Sequence, residues 1–408
     1  MKSGKGLGGT FWIFSGMLVA GLGQYFFNRI ASDGLSESDL SRVLTWNSAS
    51  FAFGLVIGSP TVTLLIINRG SEDSVARSRQ ISRASFWIAG ICGPIASVVW
   101  LLSDGLFRQS ALNIHALLLL VMGSQFQSFA AIQRGSYSAE GKWHLVAIQL
   151  MVDGVIRSSV WMPMLSLESS PVTYLYSSGL APLISIGVCR AFSAGTIPRF
   201  RIRESRRTDF RGFPPLWCSG FAQHLILTLS PNIVAFSGAP DSTVSRFALL
   251  AFVIRVPITL SSTFMTPILA RTIDARASSK AVAGIALRTV RITAILGLGV
   301  CILTPLIGAP VLDFVFPGHG FQVDEVFMTV VVGLAALIAV ELHYFSWSKE
   351  RFWTVAFAWL IAALIMCLGA VTIVLSVEVA LVLELFGLLG TLYVIASSLR
   401  ERTLVISG

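Results

Sequence analysis

The chain is poor in charge and has no long polar segment. Charged residues make up 12% of its 408 residues and hydrophobic residues 54%, whereas an ordinary soluble domain carries about a quarter charged residues. No polar stretch is long enough to form a separate soluble domain. These shortages exclude a soluble globular protein and predict an all-α integral membrane protein.

Cysteine and histidine are also scarce, with five residues of each. The cysteines lie in or beside apolar segments without paired spacing, so we expect neither disulfides nor a zinc site. The histidines are scattered, and no nucleophile stands in a recognisable arrangement with a base. Gly4, Gly6 and Gly9 match a nucleotide-binding glycine pattern, but no strand precedes them and no βαβ unit follows. We therefore expect no metal, no cofactor and no enzymatic activity.

Apolar segments are what the chain has in abundance, and twelve of them approach or exceed the roughly 20 residues that cross a bilayer. Their predicted bounds are 9–31, 41–68, 84–103, 111–134, 143–165, 172–191, 213–236, 244–270, 286–308, 325–347, 352–376 and 379–399. Basic loop residues lie at one set of span ends, and only Arg42 and Arg108 lie at the other. The positive-inside rule then places both termini in the cytoplasm and the protein in the cell (cytoplasmic) membrane. The rule also explains the net charge of +9 without nucleic acid as a partner.

The second half of the chain repeats features of the first, displaced by half the chain length. The matching positions are Ser15-Gly16 with Ser219-Gly220, Asn28 with Asn232, and Ser41-Arg42 with Ser245-Arg246. Six spans in each half return the chain to the same side of the membrane. We therefore predict two six-helix bundles that are parallel repeats, with the substrate site between them. The predicted bounds are 1–192 and 213–408, joined by a basic cytoplasmic linker at 193–212.

Four arginines lie within or at the edges of predicted spans: Arg29, Arg157, Arg246 and Arg255. Arg29 and Arg246 are near outer ends, where the side chain can equally well extend to the lipid headgroups. Arg157 and Arg255 are central, where a charge costs a few kcal/mol and needs a wet interior or an anionic partner. Pro257 follows Arg255 by two residues, as suits a bent membrane helix.

Polar residues recur every four positions in the fifth span, at Gln149, Asp153 and Arg157. This spacing places them on one helix face. Two interpretations stay open: an internal Asp153–Arg157 ion pair, or a substrate-binding face on which Arg157 exchanges Asp153 for a substrate anion. Asp153 and Glu341 are candidates for a coupling proton or sodium ion, and a protonated structural carboxyl is the alternative for Glu341.

Three segments carry a resemblance to known transporters. They are the first helix and loop GLGQYFFNRIASDGLSESDLSR (21–42), the segment from Arg255-Val256-Pro257 to Thr266–Arg271, and PLIGAPVLDFVFPGHGF (305–321) between the ninth and tenth spans. In these segments the chain resembles the polysaccharide, or lipid-linked oligosaccharide, flippases of the multidrug/oligosaccharidyl-lipid/polysaccharide (MOP) exporter superfamily. The resemblance implies a fold like that of the MATE exporters: two six-helix bundles that alternate access to a central cationic cavity.

The resemblance also implies a substrate, an undecaprenyl-pyrophosphate-linked oligosaccharide, and it places Arg255 where lipid II flippases carry a cavity arginine. The expected substrate-binding residues are Arg255, Arg157, Arg29, Asp153, Gln149 and Arg246. The expected partners are the saccharide, membrane lipid and the enzymes of polysaccharide assembly, and we expect a monomer. Two alternatives stay open. A drug/cation antiporter of the same fold favours a cavity rich in carboxylates, and a polysaccharide polymerase or glycosyltransferase needs a longer extracytoplasmic loop.

Overall fold

The structure is a computed structural model, and it describes residues 5–67, 112–159, 171–193, 213–274, 279–347 and 351–405, with isolated positions between 81 and 98. Within these residues the chain is helical apart from short connections, and it contains no strand. The chain divides into two compact units, Met1–Phe213 (unit 1) and Pro214–Gly408 (unit 2).

Unit 1 contains five described helices. They are α1 (Lys5–Gly34), α2 (Glu37–Ile67), α3 (Leu112–Ala139), α4 (Trp143–Ser158) and α5 (Pro171–Phe192). Helix α1 packs along α4 and α2 packs along α3, while α5 contacts both α3 and α4. The predicted third span, 84–103, lies almost wholly outside the described residues, and so does the predicted linker from residue 194 onward.

Unit 2 contains seven described helices. They are α6 (Phe213–Leu227), α7 (Ser230–Phe236), α8 (Asp241–Asp274), α9 (Ser279–Val315), α10 (Val323–Trp347), α11 (Phe352–Thr372) and α12 (Val377–Val405). Helix α10 is central, because it contacts α8, α9, α11 and α12. Its inward face is apolar and small, with Val332, Ala336, Ala339 and Val340 fully buried.

The two units use the same pattern of neighbours. The pairs α2–α3, α3–α5 and α4–α5 of unit 1 have counterparts in α8–α10, α10–α12 and α11–α12 of unit 2. Each pair joins spans of the same rank in the two halves of the chain. Asn28 in α1 and Asn232 in α7, which the sequence repeat relates, are both buried. The packing thus agrees with the parallel repeat that the sequence predicts.

Glycines allow α1 and α4 to approach backbone to backbone. Gly16 and Gly23 are seven residues apart, which is close to two helical turns and places them on one face. A Cβ atom on Gly16 would lie 2.7 Å from the Cα of Ala147, and one on Gly23 would collide with the carbonyl group of Gly154. Small residues at such an interface are typical of helix pairs that associate within lipid.

Five of the described helices are long and apolar enough to span a membrane. These are Pro171–Phe192, Leu287–Val315, Val323–Ser346, Phe352–Thr372 and Val377–Ser398. Two sequence predictions need correction. The predicted span 213–236 is not one helix, because α6 ends at Leu227 and α7 begins at Ser230. The predicted connection after residue 308 is also too long, since Pro310 lies inside α9 and the connection begins only at Phe316.

Candidate functional site

A buried ion pair on α4 lies in the interior of unit 1. The Nε atom of Arg157 donates to Oδ2 of Asp153 at 2.8 Å, and the two residues are 1% and 8% exposed. The Nη1 atom of Arg157 donates to the hydroxyl of Ser178 on α5, and that hydroxyl donates to Oδ1 of Asn47 on α2 at 2.8 Å. Three helices therefore hold one guanidinium, and the internal ion pair is formed.

Not all atoms of this pair have hydrogen-bond partners. Among the described residues, Nη2 of Arg157 and Oδ1 of Asp153 have none, although both are buried. The guanidinium carbon lies 4.3 Å from the ring centroid of Phe51, a cation–π geometry. A buried polar atom without a partner costs about 1–3 kcal/mol. Nη2 can therefore still donate to a water molecule or a ligand group, and Oδ1 can still accept from one.

Gln149 shares the buried face of Asp153 but its amide serves a different network. Its Nε2 atom donates to Oε1 of Gln133 at 3.2 Å, and Gln133 in turn donates to the Tyr137 hydroxyl at 2.8 Å. Tyr137 donates to the Ser193 hydroxyl at 3.3 Å. This chain of hydrogen bonds ties α3, α4 and the end of α5 together. The structure thus shows a packing role for Gln149, and its predicted contact with substrate stays a prediction.

Arg29 lies near the C-terminal end of α1, where it pairs with Asp33. The Arg29 Nε atom is 3.1 Å from Oδ2 of Asp33, and the side chains are 29% and 46% exposed. Such solvated pairs contribute little free energy. Its placement agrees with a side chain that extends toward headgroups or water.

Arg255 on α8 binds the main chain where α6 ends. Its Nε atom donates to the carbonyl oxygen of Leu227 at 2.9 Å, and its Nη2 atom donates to that of Thr228 at 2.7 Å. These carbonyls belong to the junction between α6 and α7. A guanidinium near the C-terminal end of a helix also meets the negative end of the helix dipole.

Pro231 explains why the Leu227 carbonyl needs an outside donor. In a continuous helix the N–H of residue 231 would donate to the carbonyl of Leu227, four residues earlier. Proline has no N–H, so that carbonyl is left without its helical partner. Arg255 supplies the missing donor from a helix nearly thirty residues further along the chain.

Unit 2 also buries carboxyl groups, and a histidine lies beside the junction. Glu384 on α12 is 2% exposed and interacts electrostatically with Arg255. His224 lies one turn before Thr228, with its Nδ1 atom 3.3 Å from that hydroxyl. Glu341 on α10 is 3% exposed, and its Oε1 atom accepts a hydrogen bond of 2.6 Å from Thr293 on α9. The interior of unit 2 therefore contains carboxylates as well as its central arginine.

Arg246 lies in the first turns of α8, away from the middle of that helix. Its Nη2 atom is 3.5 Å from Oε1 of Glu325, whose side chain is fully buried, and its Nη1 atom donates to the carbonyl of Gly320 at 3.5 Å. Arg246 thus holds the start of α10 and the loop before it. These contacts give it a structural role at the end of the bundle.

The predicted site residues therefore fall into separate groups. Asp153 and Arg157 are together in unit 1, with Gln149 on the same helix face, and Arg255 lies with Glu384 in unit 2. Sequence reasoning missed four residues: Ser178 and Asn47, which bind in sequence to Arg157; Thr293, which donates to Glu341; and Pro231, which leaves the Leu227 carbonyl without its helical partner. Only Pro231 gave a usable signal, because a Ser-Pro pair inside an apolar span predicts a break.

No protein-family model matches the sequence, and no curated protein sequence does. Solved structures do match in fold. A crystal structure of MATE in complex with MaL6 matches with a TM-score of 0.68 at 12% identity, covering 98% of this chain and 95% of that chain. An outward-facing multidrug resistance MATE family transporter of the MOP superfamily matches with a TM-score of 0.68 at 12% identity, covering 98% and 97%. The chain has the MATE fold.

A third structure with the MATE fold extends the comparison to another kind of transporter. It is a MOP superfamily transporter from Pyrococcus furiosus, described by a reverse polarity of its binding pocket that suggests a different function. It matches with a TM-score of 0.67 at 12% identity, covering 98% of this chain and 95% of that chain. Together with the five helices of spanning length, the MATE fold makes this a multi-pass membrane protein.

The described part of this MATE fold offers no metal site, since no three His, Cys, Asp or Glu side chains in it are grouped to hold an ion. Its chemistry is that of buried guanidinium groups and carboxylates. A guanidinium forms paired hydrogen bonds with phosphate and carboxylate oxygens. A buried carboxylate accepts a proton or a cationic partner.

Proposed function

We propose that the protein is a transporter that translocates an undecaprenyl-pyrophosphate-linked oligosaccharide across the cytoplasmic membrane by alternating access. The observation that carries this proposal is Arg255, a guanidinium midway along α8 in a stretch, 247–258, whose other residues are all apolar. The MATE fold, which matches over 98% of the chain, supports transport as the activity. We expect a monomer that receives its substrate from the enzymes of polysaccharide assembly.

Charge complementarity supports a diphosphate as the recognised group. Two phosphates carry about two negative charges, and moving them through a low-dielectric interior requires compensating cations. Arg255 and Arg157 supply guanidinium forks, which match phosphate oxygens better than an ammonium group does. The membrane potential assists outward movement of an uncompensated anion by about 2.3 kcal/mol per charge per 100 mV.

A drug/cation antiporter is the second candidate, and a specific observation favours it. Each central arginine has a carboxylate neighbour in its own unit: Asp153 beside Arg157, and Glu384 near Arg255. These carboxylates offset the positive charge on which diphosphate recognition depends. Asp153 and Glu341 are then the groups on which a coupling proton or sodium ion, or a cationic drug, would bind.

Reconstituted vesicles separate the two candidates. The purified protein is tested for movement of a fluorescent undecaprenyl-diphosphate saccharide, and separately for ethidium uptake driven by a proton or sodium gradient. Arg255→Ala should reduce saccharide movement at least tenfold, since a single lost charge-assisted contact is typically worth that much. Arg255→Lys should restore part of it, because the charge is kept and the fork is lost. Asp153→Asn should have a milder effect.

Arg42→Ala is the matched control, because Arg42 lies in the first turns of α2 beside Asp39, at 3.8 Å. It should move the saccharide at the wild-type rate. Normal saccharide movement by Arg255→Ala at equal protein levels would contradict the proposal. Gradient-driven ethidium uptake without saccharide movement would favour the antiporter.

The orientation of the protein is tested with single cysteines. Ser36, before α2, and Gln322, before α10, are exposed and belong to the ends that the charge distribution places outside. Glu140, between α3 and α4, is exposed and belongs to the inner ends. In intact cells an impermeant thiol reagent should label cysteines at 36 and 322 and not at 140. Labelling of the cysteine at 140 alone would show that the protein has the opposite orientation in the membrane.

A further inference from the structure

The junction between α6 and α7 is held by side chains from elsewhere in unit 2. The N–H groups of Thr228 and Leu229 both donate to the carbonyl of His224, at 2.9 Å each, so α6 closes in a wide, π-type turn. The next helical bond is from Ile233 to Leu229, at 3.0 Å. Between these points the Leu227 carbonyl cannot bond to residue 231, which is proline.

The seven-residue helix α7 is attached separately at its far end. The hydroxyl of Ser237, at the end of α7, accepts a hydrogen bond of 3.0 Å from the N–H of Leu375, in the loop between α11 and α12. Helix α7 packs against α8 and α11. It is therefore a short rigid segment, fixed at one end through Arg255 and at the other through the loop after α11.

We propose that Arg255 is the latch of a hinge between α6 and α7, and that an oxyanion reaching its guanidinium opens the latch. A phosphate oxygen carries a formal charge, so it competes for guanidinium donors more strongly than a backbone carbonyl does. When the donors leave, Pro231 prevents the Leu227 carbonyl from finding a helical partner. The junction must then bend so that this carbonyl meets another donor or water.

The latch itself follows from the hydrogen bonds of unit 2, whereas the oxyanion as its release rests on the proposed function. Arg255 in this view transmits ligand binding to the main chain, and Pro231 makes the main chain sensitive to it. The two residues should therefore depend on each other. An arginine that only neutralised charge would show no dependence on residue 231.

The hinge is measured by the distance between spin labels on its two sides. Cys218 on α6 is half-buried and Phe236 at the end of α7 is exposed. Labels at Cys218 and at Phe236→Cys, with the other four cysteines replaced by alanine, span eighteen residues, about 27 Å along a helix. The full-length protein is measured in detergent and in lipid nanodiscs by pulsed dipolar spectroscopy.

We expect one narrow distribution of the label-to-label distance when residue 255 is arginine, and a broad or two-peaked distribution for Arg255→Ala. Arg246→Ala is the matched control, because Arg246 lies on the same helix and also binds a backbone carbonyl, that of Gly320. It should leave the distance unchanged. Pro231→Ala restores an N–H at position 231, so the double variant Pro231→Ala/Arg255→Ala should return to one narrow distance.

The release is tested with inorganic diphosphate, with chloride at equal ionic strength as its control. Diphosphate should shift the wild-type distribution toward that of Arg255→Ala and leave the Arg255→Ala distribution unchanged. Identical distributions for wild type and Arg255→Ala would overturn the latch, and a double variant as broad as Arg255→Ala would overturn the role of Pro231. If Arg255→Ala opens the junction and diphosphate does not, the oxyanion release is wrong and the latch stands. None of these outcomes is measured as saccharide transport, so a failure of the latch can be told apart from a failure of the proposed function.

Discussion

The two units hold a central arginine in different ways. In unit 1, Arg157 pairs with Asp153 one turn earlier on the same helix, and α5 and α2 supply hydroxyl and amide partners. In unit 2, Arg255 donates to main-chain carbonyls of Leu227 and Thr228, on a different helix. In unit 1 the arginine is bound only by side chains, whereas in unit 2 the arginine is bound by main-chain carbonyls.

This difference shows at which arginine ligand binding would change the main-chain hydrogen bonds. A ligand that draws Arg157 away from Asp153 leaves α4 itself intact, because no main-chain hydrogen bond is lost. A ligand that draws Arg255 away leaves the Leu227 carbonyl without a donor at a junction that Pro231 has already interrupted. The same residue type is thus a neutralised core group in one unit and a backbone support in the other.

Removing Arg157 should have the largest effect on stability. Arg157→Ala leaves the Asp153 carboxylate buried without its partner, a change that costs about 3–5 kcal/mol. Replacing both residues with apolar ones, as in Asp153→Leu/Arg157→Met, should cost far less, since no buried charge is left. Thermal unfolding in detergent should show a much lower midpoint for the single variant than for the double one.

The unit 1 description would be wrong if the double variant were the less stable of the two. That outcome would mean that the hydrogen bonds of Arg157 to Ser178 and Asn47, rather than charge neutralisation, hold the three helices together.

The glycine contact between α1 and α4 should have the next largest effect. Gly23→Ala places a methyl group against the Gly154 carbonyl, an overpacking that costs about 1–3 kcal/mol. Gly21→Ala is the control on the same helix, since no atom lies within 4 Å of a Cβ added there. It should be neutral or slightly stabilising, because alanine favours a helix more than glycine does.

Equal unfolding midpoints for these two glycine variants would show that α1 and α4 can separate without cost. The result matters for the comparison of the units, because α1 is continuous and fixed along α4, whereas its counterpart in unit 2 is divided into α6 and α7. If α1 could move away from α4 without cost, the first span of unit 1 would be as free to move as the divided first span of unit 2.

The smallest effect on stability is expected at the C-terminal end of α1. Arg29→Ala removes a solvated pair with Asp33, which is worth about 0–1 kcal/mol and weakens with added salt. The unfolding midpoint should change little at low salt and not at all at high salt. A loss as large as that of Arg157→Ala would show that Arg29 is bound inside the bundle.

Much of the architecture could be predicted from the apolar segments and their charge pattern. Ten predicted spans correspond to single described helices, the seventh is divided into α6 and α7, and the third lies almost wholly outside the described residues. The predicted helix ends near two prolines were wrong, one because the helix continues and the other because it breaks. Pro310 remains inside α9, whereas Pro231 accompanies a break. Proline removes one donor in either case, and whether the helix bends or breaks depends on what else can reach the freed carbonyl.

Local spacing was sufficient for one half of the candidate site. The four-residue spacing of Asp153 and Arg157 on one helix allowed the ion pair as one of two interpretations, and it is formed. Contacts across long stretches of chain could not be predicted in this way. Thr293 reaches Glu341 from 48 positions away, and Trp359 donates to Nδ1 of His343 at 3.0 Å from another helix.

The sequence by itself determined that the chain is a bundle of apolar helices, that its halves repeat, and that two arginines lie deep in spans, because hydrophobicity and charge act at each residue. Tertiary structure alone decided what Arg255 binds. The partner of Arg157 is within one helical turn, so helix geometry sets it. Arg255 binds the carbonyls of Leu227 and Thr228, which lie far away in the sequence. The Leu227 carbonyl lacks its helical partner because Pro231 has no N–H, and α8 packs beside that junction.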